Sequence, residues 1–131
     1  RCLDEAIKYT KERTQFGQPL AEFQNTQFML ADMATDLEAA RALLYLAAAK
    51  VTDNAPDKTR FSAMAKKLAT DSGSSIVDRA LQMFGGRGLV QGAVIERLYR
   101  EIRALRIYEG ASEVQKLVIA RDILAEHSPR P

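Results

Sequence analysis

Two segments, residues 22–53 and 57–83, keep a helical apolar period from end to end, and only the stretch "DNAPD" separates them. In the first, Phe23, Gln27, Leu30, Ala34, Leu37, Arg41, Leu44 and Ala48 fall on one face. Met33, Ala40, Leu43 and Ala47 widen that face, as burial against several neighbours requires. In the second, Phe61, Ala65, Leu68, Ser72, Ile76 and Ala80 point inward. Asn54 and Pro56 are turn residues, and the Pro56 ring would clash with a continuing helix. Each rod is close to 45 Å long, at about 1.5 Å rise per residue. Rods of that length joined by a short turn constrain the chain to a helical bundle.

Shorter helices complete the pattern. Residues 1–14 place Leu3, Ala6, Ile7 and Thr10 at helical spacing and pair Asp4 with Lys8, then Lys8 with Glu12. "QFGQPL" breaks that helix, because Gly17 frees the backbone and Pro19 disfavours the α conformation at Gln18, which predicts a loop to about residue 21. A helix over 93–105 carries Ile95, Leu98, Ile102 and Leu105. The last runs from 112 to about 126, with Ser112 as N-cap, Gln115 three residues on in a capping-box pattern, and Glu113 in the first turn. Its "LVIA" run is apolar on more than one side, which predicts contact with another chain or domain, and the tail "EHSPRP" is expected to fray. Small residues in "ATDSGSS", midway along the second rod, predict a close approach by a partner helix or ligand. No segment alternates with period two. The predicted class is all-α: an up-and-down, four-helix-bundle-like domain of about five helices.

With 131 residues, 47% of them hydrophobic, one domain spanning 1–131 is expected. The net charge of +2 arises from interspersed basic and acidic residues, so a nucleic-acid partner gains no support. No apolar run approaches the roughly 20 residues that span a bilayer. A single cysteine, Cys2, excludes an internal disulfide and any site built on several thiolates, and it fits a reducing, intracellular compartment. His127 is the only histidine and sits in the tail, which leaves a Ser-His-Asp arrangement or a histidine metal site without parts. Helical periodicity is already under way at Arg1, so the chain is expected to be a piece of a longer subunit.

Two local features invite chemistry. "GGRG" at 85–88 lacks the lysine and hydroxyl residue of a phosphate loop and reads as helix-ending glycines. Arg97, Arg100, Arg103 and Arg106 recur every third residue, a step that drifts about 60° around a helix, so they form a solvated or interface surface rather than a phosphate track. Glu109 is the sharper candidate. It follows Ile107 and Tyr108, which would exclude water, and precedes Gly110, whose missing side chain admits a substrate. A carboxylate so placed loses solvation when ionised and moves toward the range of a general base. The same residue also fits a polar turn between two helices, and local sequence leaves both readings open.

Four landmarks, "RTQFG" at 13–17, "FQNTQFMLADM" at 23–33, "QMFGGRG" at 82–88 and "IYEGASEVQKLVIAR" at 107–121, resemble in order and spacing the C-terminal helical domain of the FAD-dependent acyl-CoA dehydrogenases. The resemblance covers nearly the whole chain. It implies the last third of a subunit whose N-terminal helical and middle β-domains lie outside this sequence, with FAD between middle and C-terminal domains and a neighbouring subunit completing the site. Arg13 would face the FAD pyrophosphate, with Gln15, Phe16 and Gln24 lining the same site. Gln82, Gly85 and Gly86 would contact the adenosine end, and Ala111, Ser112 and Glu113 would follow the flavin. Where Ala111 stands the family commonly has threonine, so a hydroxyl contact is lost there. Glu109 matches the family base, and Gly110 would stand against the substrate.

The implied reaction is α,β-dehydrogenation of an acyl-CoA to a trans-2-enoyl-CoA, with an electron-transfer flavoprotein as acceptor. A homotetramer or dimer is implied, in bacterial cytoplasm or a mitochondrial matrix. An acyl-CoA oxidase using oxygen and a non-catalytic, DNA-binding flavoprotein are the alternatives on the same scaffold.

Overall fold

The computed structural model describes residues 1–127. Five α-helices carry the fold: α1 (Cys2–Glu12), α2 (Gln24–Thr52), α3 (Lys58–Phe84), α4 (Val94–Ala104) and α5 (Ser112–Glu126). The long rods α2 and α3 lie where the apolar period places them. The all-α, bundle-like class holds.

Cross-helix pairs give the directions. Asp36 meets Arg79 at 3.2 Å while Lys50 meets Asp57 at 2.7 Å, so α2 and α3 run antiparallel. Tyr9 stacks on Phe84 with ring centroids 4.1 Å apart, and Cys2 shares a groove with Val77, so α1 runs parallel to α3. Ile95 joins the core beside Ala80, and Ile102 lies against Gly73, so α4 returns along the second half of α3. Arg60 holds Asp122 and Glu126, which takes α5 along the first half of α3. The bundle therefore has four columns, and its fourth is split into α4 and α5 by the break at 105–111. The third column, α3, touches every other helix.

The core gathers Ala6, Met33, Ile76, Ala80 and Ile95. Small residues set its tightness. A Cβ at Gly73 would sit 3.1 Å from Ile102 Cδ1, so the small-residue stretch in α3 is a close-packing site in an unbroken helix. Thr70 and Ser74 donate their hydroxyls to carbonyls one turn back, at 3.0 and 2.8 Å, which satisfies them inside the helix.

Three expectations are corrected. The buried line of α2 runs through Met33, Ala40 and Ala47, while Gln27, Arg41, Leu44 and Ala48 are exposed. The expected stripe also carries Leu30, Leu37 and Leu44, so periodicity alone did not choose between the two; the alanines win because they let α3 approach. The expected loop after α1 contains a two-stranded hairpin, β1 (Thr14–Gln15) and β2 (Gln18–Pro19), in register Thr14 to Pro19 and Gln15 to Gln18. Its turn uses Phe16 at φ 52° and Gly17 at φ 84°, the doubly left-handed form of a tight hairpin. Strands this short leave no period to read.

The third concerns the start of α5. Ser112 is the first helical residue and not the cap; Ala111 caps without a side-chain hydrogen bond, and the Gln115 amide donates to the Gly110 carbonyl at 3.2 Å. Extended Ala111 follows left-handed Gly110, which brings the chain into the helix one residue earlier than the box requires. In the "LVIA" run, Leu117 is exposed while Val118 and Ile119 are half-buried. The expected fraying of residues 128–131 lies outside the described residues.

A charged cluster pins α5. Arg60, 13% exposed in its side chain, reaches Asp57 at 3.7 Å, Asp122 at 3.3 Å and Glu126 at 2.5 Å. The hydrogen bond from Lys50 holds the Asp57 carboxyl below the usual carboxylate range, and the one from Arg60 does the same for Glu126. Both folded values are depressed, so their stabilisation is present above the unfolded carboxylate value of about 4 and is lost as pH falls through the folded one. Arg60→Met is therefore expected to lower Tm at pH 7, and the gap to the parent should narrow by pH 3 in circular-dichroism melts. An unchanging gap would contradict the pairing.

Candidate active site

The break between α4 and α5 is built from backbone capture. After Ala104, the amides of Ile107 and Tyr108 both donate to the Ala104 carbonyl, at 2.9 and 3.2 Å, and the Ser112 amide donates to the Arg106 carbonyl at 3.2 Å. Between them Glu109 takes φ 55° and Gly110 φ 88°. A left-handed glutamate costs on the order of 1 kcal/mol, so the surroundings must enforce it. They do so from α3. Lys66 Nζ donates to the Gly110 carbonyl at 2.5 Å and to the Tyr108 carbonyl at 3.4 Å, and Arg106 Nε meets Asp71 Oδ1 at 2.9 Å.

Glu109 is presented outward from this turn, exposed, with Ile107 and Tyr108 exposed beside it. The water exclusion expected of those two side chains is not supplied within this chain, because both remain more than half exposed and fuller burial there needs a surface from outside. Gly110 is demanded locally by its φ of 88°, which L side chains rarely adopt, and an added Cβ would also displace the end of the Gln115 side chain. Alongside lies a cleft of about 230 Å³ lined by Arg103, Arg106, Ile107, Ala111, Ser112 and Glu113. Ser112 is 3% exposed and its Oγ has no hydrogen-bond partner, whereas Glu113 faces solvent. Lys66 and Asp71 are the residues that sequence reasoning missed. They lie at least 35 positions before the residues they contact, and no spacing rule links them.

The remaining candidates collect at the opposite end of α3. Stacking of Tyr9 on Phe84, with the Tyr9 hydroxyl donating to the Phe84 carbonyl at 3.4 Å, brings the end of α1 to the end of α3. Arg13 caps α1 in an extended conformation, exposed and without an ion-pair partner among the described residues. Phe16, at the hairpin tip, is 92% exposed and meets Phe23 edge-on at 6.3 Å. Gln15, Gln24 and Gln82 are also exposed.

The glycines of "GGRG" separate by cause. Gly85 ends α3 at φ 58°, ψ −143°, a region essentially reserved for glycine. A Cβ at Gly88 would lie 3.0 Å from Phe84 Cβ and 3.2 Å from the Leu81 carbonyl, so its reason is packing. Gly86 has neither a positive φ nor any atom within 4 Å of an added Cβ. Nothing inside the chain requires a glycine there, which fits close approach by a group from outside. Gly86→Ala is expected to keep the parent Tm within about 1 °C. Gly88→Ala should lower Tm by several degrees, on the scale of about 1–3 kcal/mol for overpacking. Equal melting losses would remove the distinction.

From Lys66 to Gly85 the α3 axis advances about 28 Å. The structure thus brings Glu109, Gly110, Ala111, Ser112 and Glu113 together at one place and Arg13, Gln15, Phe16, Gln24, Gln82, Gly85 and Gly86 at another. Other readings resolve quickly. Arg97 pairs with Glu101 at 3.6 Å, Arg100 with Glu96 and Arg106 with Asp71, so the arginines are spread over ion pairs rather than aligned on a phosphate track. Burial pushes the Cys2 thiol up to about 11, which leaves it unreactive at neutral pH. Among the described residues there is no cluster of metal-ligating side chains and no helix long and apolar enough to cross a membrane.

An up-and-down bundle with a carboxylate displayed at a break in its fourth column, and a cation, aromatic ring and open glycine at its far end, defines a helical domain with two separate groups of candidate residues. The family described as the C-terminal domain of acyl-CoA dehydrogenase matches residues 1–124, and the chain belongs to that family. It is 49% identical to a 3-(aryl)acrylate reductase of Clostridium sporogenes, over 94% of this chain and 32% of that protein. Over the same shares it is 48% identical to the caffeyl-CoA reductase-Etf complex subunit CarC of Acetobacterium woodii. The structure of butyryl-CoA dehydrogenase from Megasphaera elsdenii superposes with a TM-score of 0.90 at 40% identity, over 94% of this chain and 32% of that one. The chain spans about a third of the length of the relatives it matches.

Proposed function

We propose that this chain is the C-terminal domain of a longer FAD-dependent acyl-CoA dehydrogenase and that Glu109 is the base that exchanges the acyl α-proton. The observation that carries the reading is the Glu109 turn: a glutamate held left-handed by two clamped neighbouring carbonyls and displayed at a break in the bundle, at the family's most specific motif. The residues at the far end fit a dinucleotide. Arg13 offers an exposed planar guanidinium for paired phosphate oxygens, Phe16 an exposed ring, and Gly86 a backbone that nothing crowds among the described residues.

When bound, FAD supplies the two-electron acceptor for the β-hydrogen. The chain's own residues do the rest. Glu109 takes the α-proton as a carboxylate, and the carboxylic acid so formed returns a proton when the reaction runs toward reduction. The names of the two reductase relatives fit that reverse direction. Exposed Ile107 and Tyr108 complete an apolar wall only when the missing domains and the acyl chain cover them. Gly110 and the backbone of Ala111 let the thioester pass close, and Ser112, with a buried hydroxyl that finds no partner here, offers a donor at the start of α5.

The two groups of candidates stand about 28 Å apart along α3, which supports a flavin site completed by a second copy of the subunit. The Etf in a relative's name supports an electron-transfer flavoprotein as acceptor. The test is anaerobic mixing of the full-length protein with a panel of acyl-CoA and enoyl-CoA thioesters while flavin absorbance is followed. Bleaching by saturated thioesters, with electrons passed to an electron-transfer flavoprotein and no peroxide in air, is expected. Peroxide as the main product would place the protein among oxidases, and no response to any thioester would overturn the reading.

A further inference from the structure

The least expected contact in the chain is the one that reaches Glu109 from another column of the bundle. Lys66 sits in the first half of α3, half-buried, and its ammonium donates to the carbonyls of Tyr108 and Gly110, the residues on either side of Glu109. An ammonium has three donors and no acceptor, so it serves converging carbonyls and cannot bond their amides. The Gln115 amide adds a second donor to the Gly110 carbonyl. Without such donors, two carbonyls turned toward one point repel each other, and the left-handed pair at 109 and 110 relaxes. The rest of the turn is not enough to hold it: the amide bonds to Ala104 and Arg106 fix its two ends and leave Glu109 itself untouched.

We propose that Lys66 is the positioning residue of the Glu109 base: by gripping the carbonyls before and after it, Lys66 sets the direction in which the carboxylate meets the substrate α-carbon. The proposal rests on the reading of Glu109 as the base. It assigns Lys66 no contact with substrate or flavin. A misplacement of about 1 Å at a reacting group costs on the order of 100-fold in rate. Loss of the grip therefore acts on the rate of proton transfer and leaves acyl-CoA affinity and flavin content largely intact.

The experiment uses the full-length, FAD-loaded protein and stopped-flow bleaching by saturating acyl-CoA. Lys66→Met keeps the length of the side chain and removes its donors; it is expected to slow bleaching roughly 10- to 100-fold, with acyl-CoA affinity and FAD content within about twofold of the parent. Lys66→Arg, which retains donors for two carbonyls, should recover part of that loss. In a Glu109→Gln background, Lys66→Met should slow the residual reaction no further, because a residue that acts through the carboxylate has nothing left to position.

An unchanged rate in Lys66→Met, a loss that appears only as weaker acyl-CoA binding, or an equal proportional loss in the Glu109→Gln background would each overturn the proposal. Should Lys66→Met fail to accumulate as folded protein, Lys66→Gln, with a shorter donor, takes its place under the same criteria. Failure of the parent reading is seen separately, as undiminished bleaching in the Glu109→Gln single variant.

Discussion

Glu109→Gln in the full-length protein is expected to give a yellow, FAD-loaded enzyme that acyl-CoA bleaches about 100- to 10,000-fold more slowly, the range spanned by a positioned general base. The substitution is nearly isosteric and removes the basic oxygen while keeping a polar side chain. Glu109 accepts no side-chain hydrogen bond and belongs to no ion pair among the described residues, so the fold loses nothing with it. Its backbone conformation survives, since Lys66 and Gln115 bind carbonyls and not the carboxylate. Melting temperature and flavin content should match the parent. Bleaching at the parental rate would end the assignment of Glu109 as base, whatever the family of the chain. Glu109→Asp offers a graded control: it keeps the carboxylate but draws it back by one methylene, and an intermediate rate is expected.

How much of this was legible beforehand depends on the range of the interaction. The long rods and their turn were readable because burial of one face imposes a period that propagates over many residues. The close approach at "ATDSGSS" was readable as well, since small residues at an interface leave few other reasons for their presence. The hairpin at 14–19 was not, because its ladder has two residues on each side and its left-handed Phe16 carries no common turn signature. Ser112 misled for a related reason: an N-cap is recognised by type and spacing, yet whether the chain enters the helix at 111 or 112 was decided by the conformation of Gly110.

The candidate site divides in the same way. Glu109, Arg13 and the glycines stood in motifs, and motif spacing carried them. Lys66 and Asp71 act across the bundle, so only the folded chain identifies them. The outward display of Glu109 was also hidden, because Ile107 and Tyr108 look like a water-excluding pair in sequence and stay more than half exposed in the folded chain.

Two dead variants should restore one another if the separation along α3 means what it suggests. Take Glu109→Gln in one subunit and Arg13→Met in another. Arg13 is exposed, makes no ion pair among the described residues, and stands at the end of the bundle opposite the Glu109 turn. Loss of a charge-assisted contact to phosphate costs roughly 1.5–3 kcal/mol, which corresponds to about 10- to 100-fold weaker flavin binding. At limiting FAD the Arg13→Met protein should be colourless and inactive. Suppose each flavin uses the Glu109 end of one copy and the Arg13 end of another. A mixed pair then contains one site with both lesions and one with neither, so random assembly of equal amounts should recover about a quarter of parental activity. If both ends served the same flavin within one chain, every site of the mixture would carry a lesion and the activity would stay at the level of the separate variants. Co-expression with two affinity tags, followed by assay of the doubly tagged fraction, separates these outcomes. The gain is a recovery from near zero, so unequal expression or partial flavin loss cannot imitate it. A doubly tagged fraction that assembles but stays inactive would mean that no site draws its two ends from different copies and would dissolve the shared-site reading.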